Sequence, residues 1–120
     1  MILVDTSVWI DHLRSGDEQL ADLLYRSQVV IHPFVIGELA CVNLRHRDQV
    51  LELLNDLPQA EVASQHEVLH LIEHKALMGL GIGFVDAQLL ASAALMDATL
   101  IWTRDKRLRK AARRLELAAD

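Results

Sequence analysis

Short apolar runs alternate with longer amphipathic segments along this chain. The runs at 2–4, 29–31 and 99–102 are too short for helices and are typical of strands buried on both faces. Elsewhere, apolar residues recur at three- and four-residue spacing, which predicts helices. The first predicted helix carries Val8, Trp9, Ile10 and Leu13. The others cover about 18–26, 34–44, 47–57, 65–78, 84–96 and 105–114, and two weaker strands are predicted at 60–63 and 115–117.

The order of these elements predicts the fold class. Short buried strands that alternate with helices are typical of α/β proteins, in which helices flank both faces of a mainly parallel sheet. With 120 residues the chain can bury one substantial core, so we expect a single domain over residues 1–120. No apolar run is long enough to cross a bilayer, and no basic residue precedes the first apolar run as it would in a secretory signal.

Composition indicates the cellular location, and the distribution of charge indicates a possible partner. The chain is 52% hydrophobic and contains one cysteine, Cys41, so no internal disulfide can form and a cytoplasmic location is expected. Its net charge of −5 argues against a nucleic-acid partner. However, seven of its twelve basic residues fall within 104–114. This segment is either a solvated helix face or a weak RNA-binding surface formed by Arg104, Lys106, Arg107, Arg109 and Lys110.

Four carboxylates stand at positions where a solvated surface charge is not expected. Asp5 directly follows the first strand, and Asp105 follows the strand at 99–102. Glu38 and Asp86 interrupt apolar helical stretches. For Asp5, Asp86 and Asp105, helix capping is the simpler alternative. If strands 2–4 and 99–102 are parallel neighbours, all four carboxylates can meet at one edge of the sheet, where α/β proteins place their sites.

Clustered carboxylates repel one another unless a cation holds them together. Their hard oxygen atoms suit Mg²⁺ or Mn²⁺, and metal-activated attack of water on a phosphodiester is the chemistry that such a site serves best. The hydroxyls of Thr6, Ser7 and Thr103 can orient the carboxylates from a second shell. We also expect Thr6 and Ser7 to cap the first helix, which leaves Asp5 free to hold metal.

Four short motifs of the sequence resemble those of the PIN-domain ribonucleases, and more narrowly those of the VapC toxins of bacterial toxin–antitoxin pairs. The resemblance is carried by Val-Asp-Thr-Ser-Val-Trp-Ile-Asp at 4–11, Gly-Glu-Leu at 37–39, Gly-Phe-Val-Asp-Ala-Gln at 83–88 and Trp-Thr-Arg-Asp-Lys-Arg-Leu at 102–108. It implies a three-layer PIN-like domain, in which Asp5, Glu38, Asp86 and Asp105 are the catalytic and metal-binding residues. Among these, Asp105 matches the family's least constant ligand. Ser7 and Thr103 match the family's hydroxyl positions.

The same resemblance implies a function and partners. It implies metal-dependent cleavage of structured RNA, often tRNA or ribosomal RNA, by a cytoplasmic toxin that a cognate VapB-type antitoxin neutralises. It also implies a homodimer. Asp97, which lies just before the strand at 99–102, is a possible further contributor to the site, although a helix-end turn explains it more simply.

Two other functions remain open from the sequence. A PIN-fold domain without catalytic activity could serve as an interaction module. His66-Glu67-Val68-Leu69-His70 also matches the H-E-x-x-H helix of zinc peptidases, in which two histidines bind zinc and the glutamate is the general base. The residues that should extend this motif are missing, and the helical period places its histidines on a solvated face.

Overall fold

The computed structural model of the protein describes all 120 residues, in three strands and seven helices. The strands are β1 (Ile2–Val4), β2 (Val29–Val30) and β3 (Leu100–Trp102). The helices are α1 (Thr6–Ser15), α2 (Glu18–Tyr25), α3 (Pro33–Ala40), α4 (Arg47–Asn55), α5 (Gln65–His74), α6 (Phe84–Leu95) and α7 (Lys106–Arg114).

The three strands form a parallel sheet with β1 in the centre, in the order β2-β1-β3. Ile2 pairs with both Val29 and Leu100, and Val4 pairs with Trp102. Parallel neighbours require crossover connections, and α1 and α2 provide the one between β1 and β2. The predicted α/β class with a parallel sheet is therefore confirmed, and the C-terminal ends of β1 and β3 lie side by side.

The two weaker strands of the prediction are reduced to single bridges. Residues 60–63 form no strand, and only Gln59 pairs with Ile31 at that edge of the sheet. Pro33 limits this ladder, because it has no backbone N–H and begins α3 two residues after Ile31. Residues 115–117 form no strand either, and the bridge on that side joins Ala118 to Ile101.

Several helices are shorter than the sequence pattern predicts. Helices that were predicted to reach residues 44, 57 and 78 end at Ala40, Asn55 and His74. After α5, Ala76 takes a left-handed conformation with a φ of 52°, and the Leu77 N–H donates to the Ile72 carbonyl at 2.9 Å. This backbone arrangement closes a helix before the apolar pattern ends. None of the seven helices combines the length and apolar character that crossing a membrane requires.

The core lies on both faces of the sheet and includes one buried polar network. Twenty buried apolar residues form the main cluster, among them Leu3 of β1, Ile101 of β3 and Leu89 of α6. His32 is fully buried beside them, and burial lowers the pKa of its imidazole. Its Nε2 lies 2.9 Å from Ser92 Oγ on α6. The hydrogen bonds of this network tie α6 to the rest of the molecule.

Candidate active site

The pairing of β1 with β3 brings Asp5 and Thr103 together. The backbone N–H of Asp5 donates to the Trp102 carbonyl at 2.9 Å, so the backbone leaves β1 and β3 at the same edge of the sheet. The Thr103 hydroxyl donates to Asp5 Oδ2 at 2.7 Å, and the Ser7 hydroxyl donates to the same oxygen at 2.8 Å. Asp5 is only 7% exposed, so these two hydroxyls fix the orientation of a nearly buried carboxylate.

Asp5 is itself the N-cap of α1, which corrects the expectation that Thr6 and Ser7 cap this helix. Its Oδ2 accepts the Ser7 N–H at a long 3.4 Å. The hydroxyls of Thr6 and Ser7 instead turn toward carboxylates. All hydrogen bonds to the Asp5 side chain end on Oδ2, so Oδ1 accepts none. Capping and ligand binding are therefore compatible, because each can use a different oxygen of the same carboxylate.

Glu38 reaches the same region from α3. Its Oε1 accepts the hydroxyl of Thr6 at 2.6 Å, which joins the first turn of α1 to the last turns of α3. Glu38 is exposed, and its neighbour Leu39 is fully buried and holds the helix in the core. The hydroxyl of Thr6 thus orients Glu38 as those of Ser7 and Thr103 orient Asp5.

The pKa of Asp86 is affected by the charges of the other three carboxylates. It lies in the first turn of α6, where its Oδ2 accepts the Gly83 N–H at 3.3 Å. Partial burial is the main reason why its pKa is raised, and the negative charges of Asp5, Asp105 and Glu38 raise it further. The hydrogen bond from Gly83 opposes this shift. Asp86 therefore lies near enough to the other three carboxylates for their charges to act on it.

Asp105 divides its two oxygens in the same way as Asp5. Its Oδ1 accepts the N–H groups of Arg107 and Leu108, each at 2.9 Å, and so caps α7. Its Oδ2 accepts no hydrogen bond from the protein. The capping alternative is therefore correct for Asp105, but capping leaves one oxygen of its exposed carboxylate available to a ligand.

The donor set suits a hard divalent cation in chemistry and charge. Carboxylate oxygens are the ligands that Mg²⁺ and Mn²⁺ prefer, and a cation would offset the negative charges that add to the effect of burial on the pKa of Asp86. The side chains are not preassembled, because no three His, Cys, Asp or Glu side chains stand together as a ready metal-ligand set. No closed cavity surrounds the four carboxylates, and the five cavities of the molecule are lined by other residues. Such an open acidic face is accessible to a large polymer.

The five basic residues predicted to contact RNA have different surroundings. Both terminal nitrogens of Arg104 are paired, with Asp11 and Asp17. Arg109 donates to the Thr103 carbonyl at 3.0 Å and lies 3.5 Å from the Asp120 carboxylate. The remaining three are exposed and form no ion pair: Lys106, Arg107 and Lys110. Because these three charges are not neutralised within the protein, they are the ones most available to phosphates.

The side chain of Arg107 packs closely against Gly81. A Cβ added at Gly81 would lie 2.8 Å from Arg107 Cδ, so the arginine side chain crosses this residue closely. Gly81 also has a φ of +79°, which favours glycine. It belongs to the loop that leads into α6 and Asp86. Arg107 therefore contacts the loop that precedes Asp86. Asp105, two residues before Arg107, caps α7, the helix that carries Arg107.

Other acidic residues near β3 have structural positions that the sequence did not indicate. Asp97 is exposed before the N-terminal end of β3, whereas Asp5 and Asp105 follow the C-terminal ends of β1 and β3, so Asp97 lies at the opposite end of the sheet. Asp11 and Asp17 were missed as partners of Arg104. Asp17 is also the N-cap of α2, since its Oδ1 accepts the Leu20 N–H at 2.9 Å. No signal in the sequence links residues 87 and 93 positions apart.

The H-E-x-x-H helix is not arranged as a zinc site. Glu67 completes a capping box: its Oε1 accepts the Ser64 N–H at 2.8 Å, and the Ser64 hydroxyl accepts the Glu67 N–H. Hydrogen bonds from Ser64 lower the pKa of Glu67, which makes it a weaker base. The exposed rings of His70 and His74 stack at 5.4 Å between centroids. The zinc hydrolase alternative therefore has no support in the geometry.

Substitution of Asp86 by Asn should stabilise the metal-free protein. The raised pKa means that the folded state disfavours the charged carboxylate. This penalty is absent at low pH, where Asp86 is protonated in both states, and develops as the pH rises through the folded-state pKa. Asn keeps the acceptor for Gly83. In EDTA, we expect the melting temperature of Asp86→Asn to exceed that of the wild type at pH 7, and the gap to close near pH 3.5.

Asp97→Asn is the matched control for this comparison, because Asp97 is an exposed aspartate outside the carboxylate cluster. Its melting temperature should follow that of the wild type at both pH values. If Asp86→Asn is less stable than the wild type at pH 7 in EDTA, the inference that burial and neighbouring charges disfavour the ionised form of Asp86 is wrong.

Comparison with known proteins agrees with this geometry. The family model for the PIN domain matches residues 2–114. Two relatives, both named Ribonuclease VapC32 and found in two strains of Mycobacterium tuberculosis, are 51% identical to this chain over 111 residues. The alignments cover 92% of this chain and 90% of each relative. The chain therefore belongs to the PIN-domain family and is similar to the VapC-type ribonucleases within it.

Proposed function

We propose that this chain is a metal-dependent endoribonuclease of the VapC toxin type. The observation that carries the proposal is the raised pKa of Asp86, which is due first to burial and then to the negative charges of Asp5, Asp105 and Glu38. The similarity to proteins named as ribonucleases supports the choice of RNA as substrate. An open acidic face beside unpaired basic residues is also better suited to a polymer than to a small molecule.

The four carboxylates would hold Mg²⁺ or Mn²⁺. When bound, such an ion lowers the pKa of a coordinated water and offsets the charge that develops on the phosphate. Asp5 would contribute Oδ1, the oxygen that its neighbours leave free, and Asp105 would contribute Oδ2. Glu38 and Asp86 would complete the donor set. Asp105 matches the least constant ligand of the family, so its contribution should be the smallest of the four.

The other residues orient these ligands and the RNA. The hydroxyls of Ser7 and Thr103 hold Asp5, and the hydroxyl of Thr6 holds Glu38. Partners that fix a metal ligand in this way commonly matter by about 10- to 100-fold for metal affinity or activity. Phosphates would be met by the exposed bases of α7 that form no ion pair: Lys106, Arg107 and Lys110.

Substrate, partners and location follow from the family and are proposed on that basis. Structured RNA, either tRNA or ribosomal RNA, is the expected substrate, and the cytoplasm is where the protein would meet it. A cognate VapB-type antitoxin would block the site. A homodimer is also expected, and exposed apolar side chains such as those of Phe34 and Phe84 could contribute to its interface.

Removal of metal provides the first test. Purified protein incubated with tRNA or total RNA and Mn²⁺ should produce discrete fragments. EDTA should abolish cleavage, and excess Mn²⁺ should restore it, because the carboxylates cannot otherwise activate water. Fragments are measured by denaturing electrophoresis. No cleavage of any RNA in Mn²⁺ would contradict the nuclease proposal and favour an interaction module that binds without cutting.

The variant His70→Ala serves as a control for the zinc alternative. His70 lies on the exposed face of α5, outside the carboxylate cluster, so its removal should leave cleavage unchanged. Loss of activity in His70→Ala together with full activity in Asp5→Asn would reverse the assignment of the site.

A further inference from the structure

The guanidinium of Arg104 joins three segments of the chain beside the carboxylate cluster. One terminal nitrogen pairs with Asp11 of α1, and the other pairs with Asp17, the N-cap of α2. The side chain also lies over the ring of Trp102, with 5.9 Å between the guanidinium carbon and the ring centroid. Arg104 itself belongs to the turn between β3 and α7. We call Arg104, Asp11 and Asp17 the arginine clamp.

The backbone of Arg104 contacts the site directly. Its N–H donates to Ser7 Oγ at 3.0 Å, and that hydroxyl donates to Asp5 Oδ2 at 2.8 Å. Ser7 Oγ also lies 3.3 Å from the hydroxyl of Thr103, the other donor to Asp5. A displacement of the turn at 103–105 would therefore disturb both hydroxyls that hold Asp5, and would move Asp105 at the same time.

The charge of Arg104 is already neutralised by two carboxylates of the protein, Asp11 and Asp17. Charge-assisted hydrogen bonds between a guanidinium and a carboxylate are stronger than neutral ones, and here one guanidinium makes two of them. A phosphate that approached Arg104 would have to displace a carboxylate and would meet the negative charges of Asp11 and Asp17. In contrast, Arg107 on the next helix forms no ion pair.

We propose that Arg104 is a positioning residue, whose clamp on Asp11 and Asp17 fixes the turn at 103–105 and thereby the metal-binding orientation of Asp5. This inference rests on the proposed nuclease function and deepens it, because it assigns Arg104 to the metal site rather than to RNA contact. Lys would be a poor substitute, since an ammonium lacks the planar fork that reaches two carboxylates at once.

The two roles of Arg104 predict opposite effects for its acidic partners. If Arg104 contacted phosphate, removal of the charge of Asp11 or Asp17 would free the guanidinium and tighten RNA binding. If Arg104 is a positioning residue, the same removal loosens the turn and lowers kcat. We therefore expect Asp11→Asn to reduce kcat without lowering KM. Asp17→Asn should act in the same direction, and its amide oxygen still caps α2.

Kinetics with Mn²⁺ and a cleavable RNA can separate positioning from binding. For Arg104→Gln, we expect kcat to fall by about 10- to 100-fold and the Mn²⁺ concentration for half-maximal rate to rise, while KM stays unchanged. The salt dependence of KM should also stay unchanged, whereas loss of a phosphate contact would reduce its slope by about one. Arg107→Gln should show that binding pattern, with a raised KM and a reduced slope. Arg104→Lys should recover only part of the lost kcat.

Arg26→Gln is the matched control, because Arg26 pairs with Asp22 on the exposed surface of α2. It should match the wild type in kcat, KM and Mn²⁺ dependence. Circular dichroism and melting curves establish that each variant is folded. If Arg104→Gln does not fold, Arg104→Lys and Asp11→Asn carry the test, since each retains part of the clamp.

Calorimetric titration with Mn²⁺ in the absence of RNA adds a readout that does not depend on activity. Wild-type protein should bind Mn²⁺, and Arg104→Gln should bind it about 10-fold more weakly. If the wild type neither binds Mn²⁺ nor cuts RNA, the proposed function has failed. If the wild type does both, and Arg104→Gln keeps its Mn²⁺ affinity and kcat but raises KM, the positioning inference is overturned and Arg104 is an RNA contact.

Discussion

Substitution of Asp5 by Asn should abolish RNA cleavage and leave the fold intact. Asn retains an oxygen that can accept from Ser7 and Thr103, and it remains a good N-cap for α1. However, the free Oδ1 becomes an uncharged amide group, which cannot serve as an anionic metal ligand. We expect a fall in kcat/KM of at least about 100-fold, the upper end of what loss of an outer-shell partner costs.

The measurement is single-turnover cleavage of tRNA in Mn²⁺, paired with a melting curve for each protein. Asp97→Asn is the matched control, since Asp97 is an exposed aspartate before the opposite end of β3. It should cleave like the wild type. In cells, expression of the wild type should arrest growth, and expression of Asp5→Asn should not. A fully active Asp5→Asn protein would remove Asp5 from the proposed metal site.

The sequence allowed a parallel α/β sheet to be predicted from local signals, and it predicted that the strand ends meet on the condition that strands 2–4 and 99–102 are parallel neighbours. A short apolar run followed by a carboxylate occurs at Asp5, and a similar run precedes Thr103 and Asp105. Parallel pairing of two such runs places their C-terminal ends together whatever helices lie between them. The sequence therefore predicted what this edge would hold once the two strands paired, and the structure supplies the pairing itself.

The details of the site could not be predicted, because they depend on contacts between distant residues. By local rules, Thr6 is a good helix cap. Its hydroxyl instead donates to Glu38, 32 positions away, while Asp5 caps the helix. By the same local rules, Arg104 looks like one of several basic residues without a partner in the protein. Only the folded chain brings it to Asp11, 93 positions earlier. Pattern and propensity contain no information about such pairs.

The ends of the secondary structure elements were also poorly predicted, for a related reason. The apolar pattern of α5 continues to residue 78, yet the helix stops at His74 because the backbone turns at Ala76. The buried side chain of Leu77 is thereby placed in the core from a turn rather than from a helix. Tertiary packing satisfied the apolar pattern without extending the helix.

The polar network of the core is where a single substitution should cost the most stability. Gln88 of α6 is 2% exposed and bonds both backbone groups of Ala63, at 2.7 Å to the N–H and 2.9 Å to the carbonyl. Its Oε1 also accepts the Ser92 hydroxyl at 2.9 Å. Since His32 Nδ1 accepts the Phe34 N–H, its proton lies on Nε2 and can be donated to Ser92.

Substitution of Gln88 by Leu should destabilise the protein by about 3 to 5 kcal/mol, because it leaves buried backbone and side-chain groups without partners. Urea unfolding measures the loss, which is large against the roughly 5 to 15 kcal/mol typical of folded domains. Gln19→Leu is the control, since Gln19 is exposed on α2, and it should change stability by less than about 0.5 kcal/mol. A loss below about 1 kcal/mol in Gln88→Leu would mean that water or rearranged side chains satisfy the network. Because Gln88 lies half a turn beyond Asp86, a loosened α6 should also weaken Mn²⁺ binding at the carboxylate cluster.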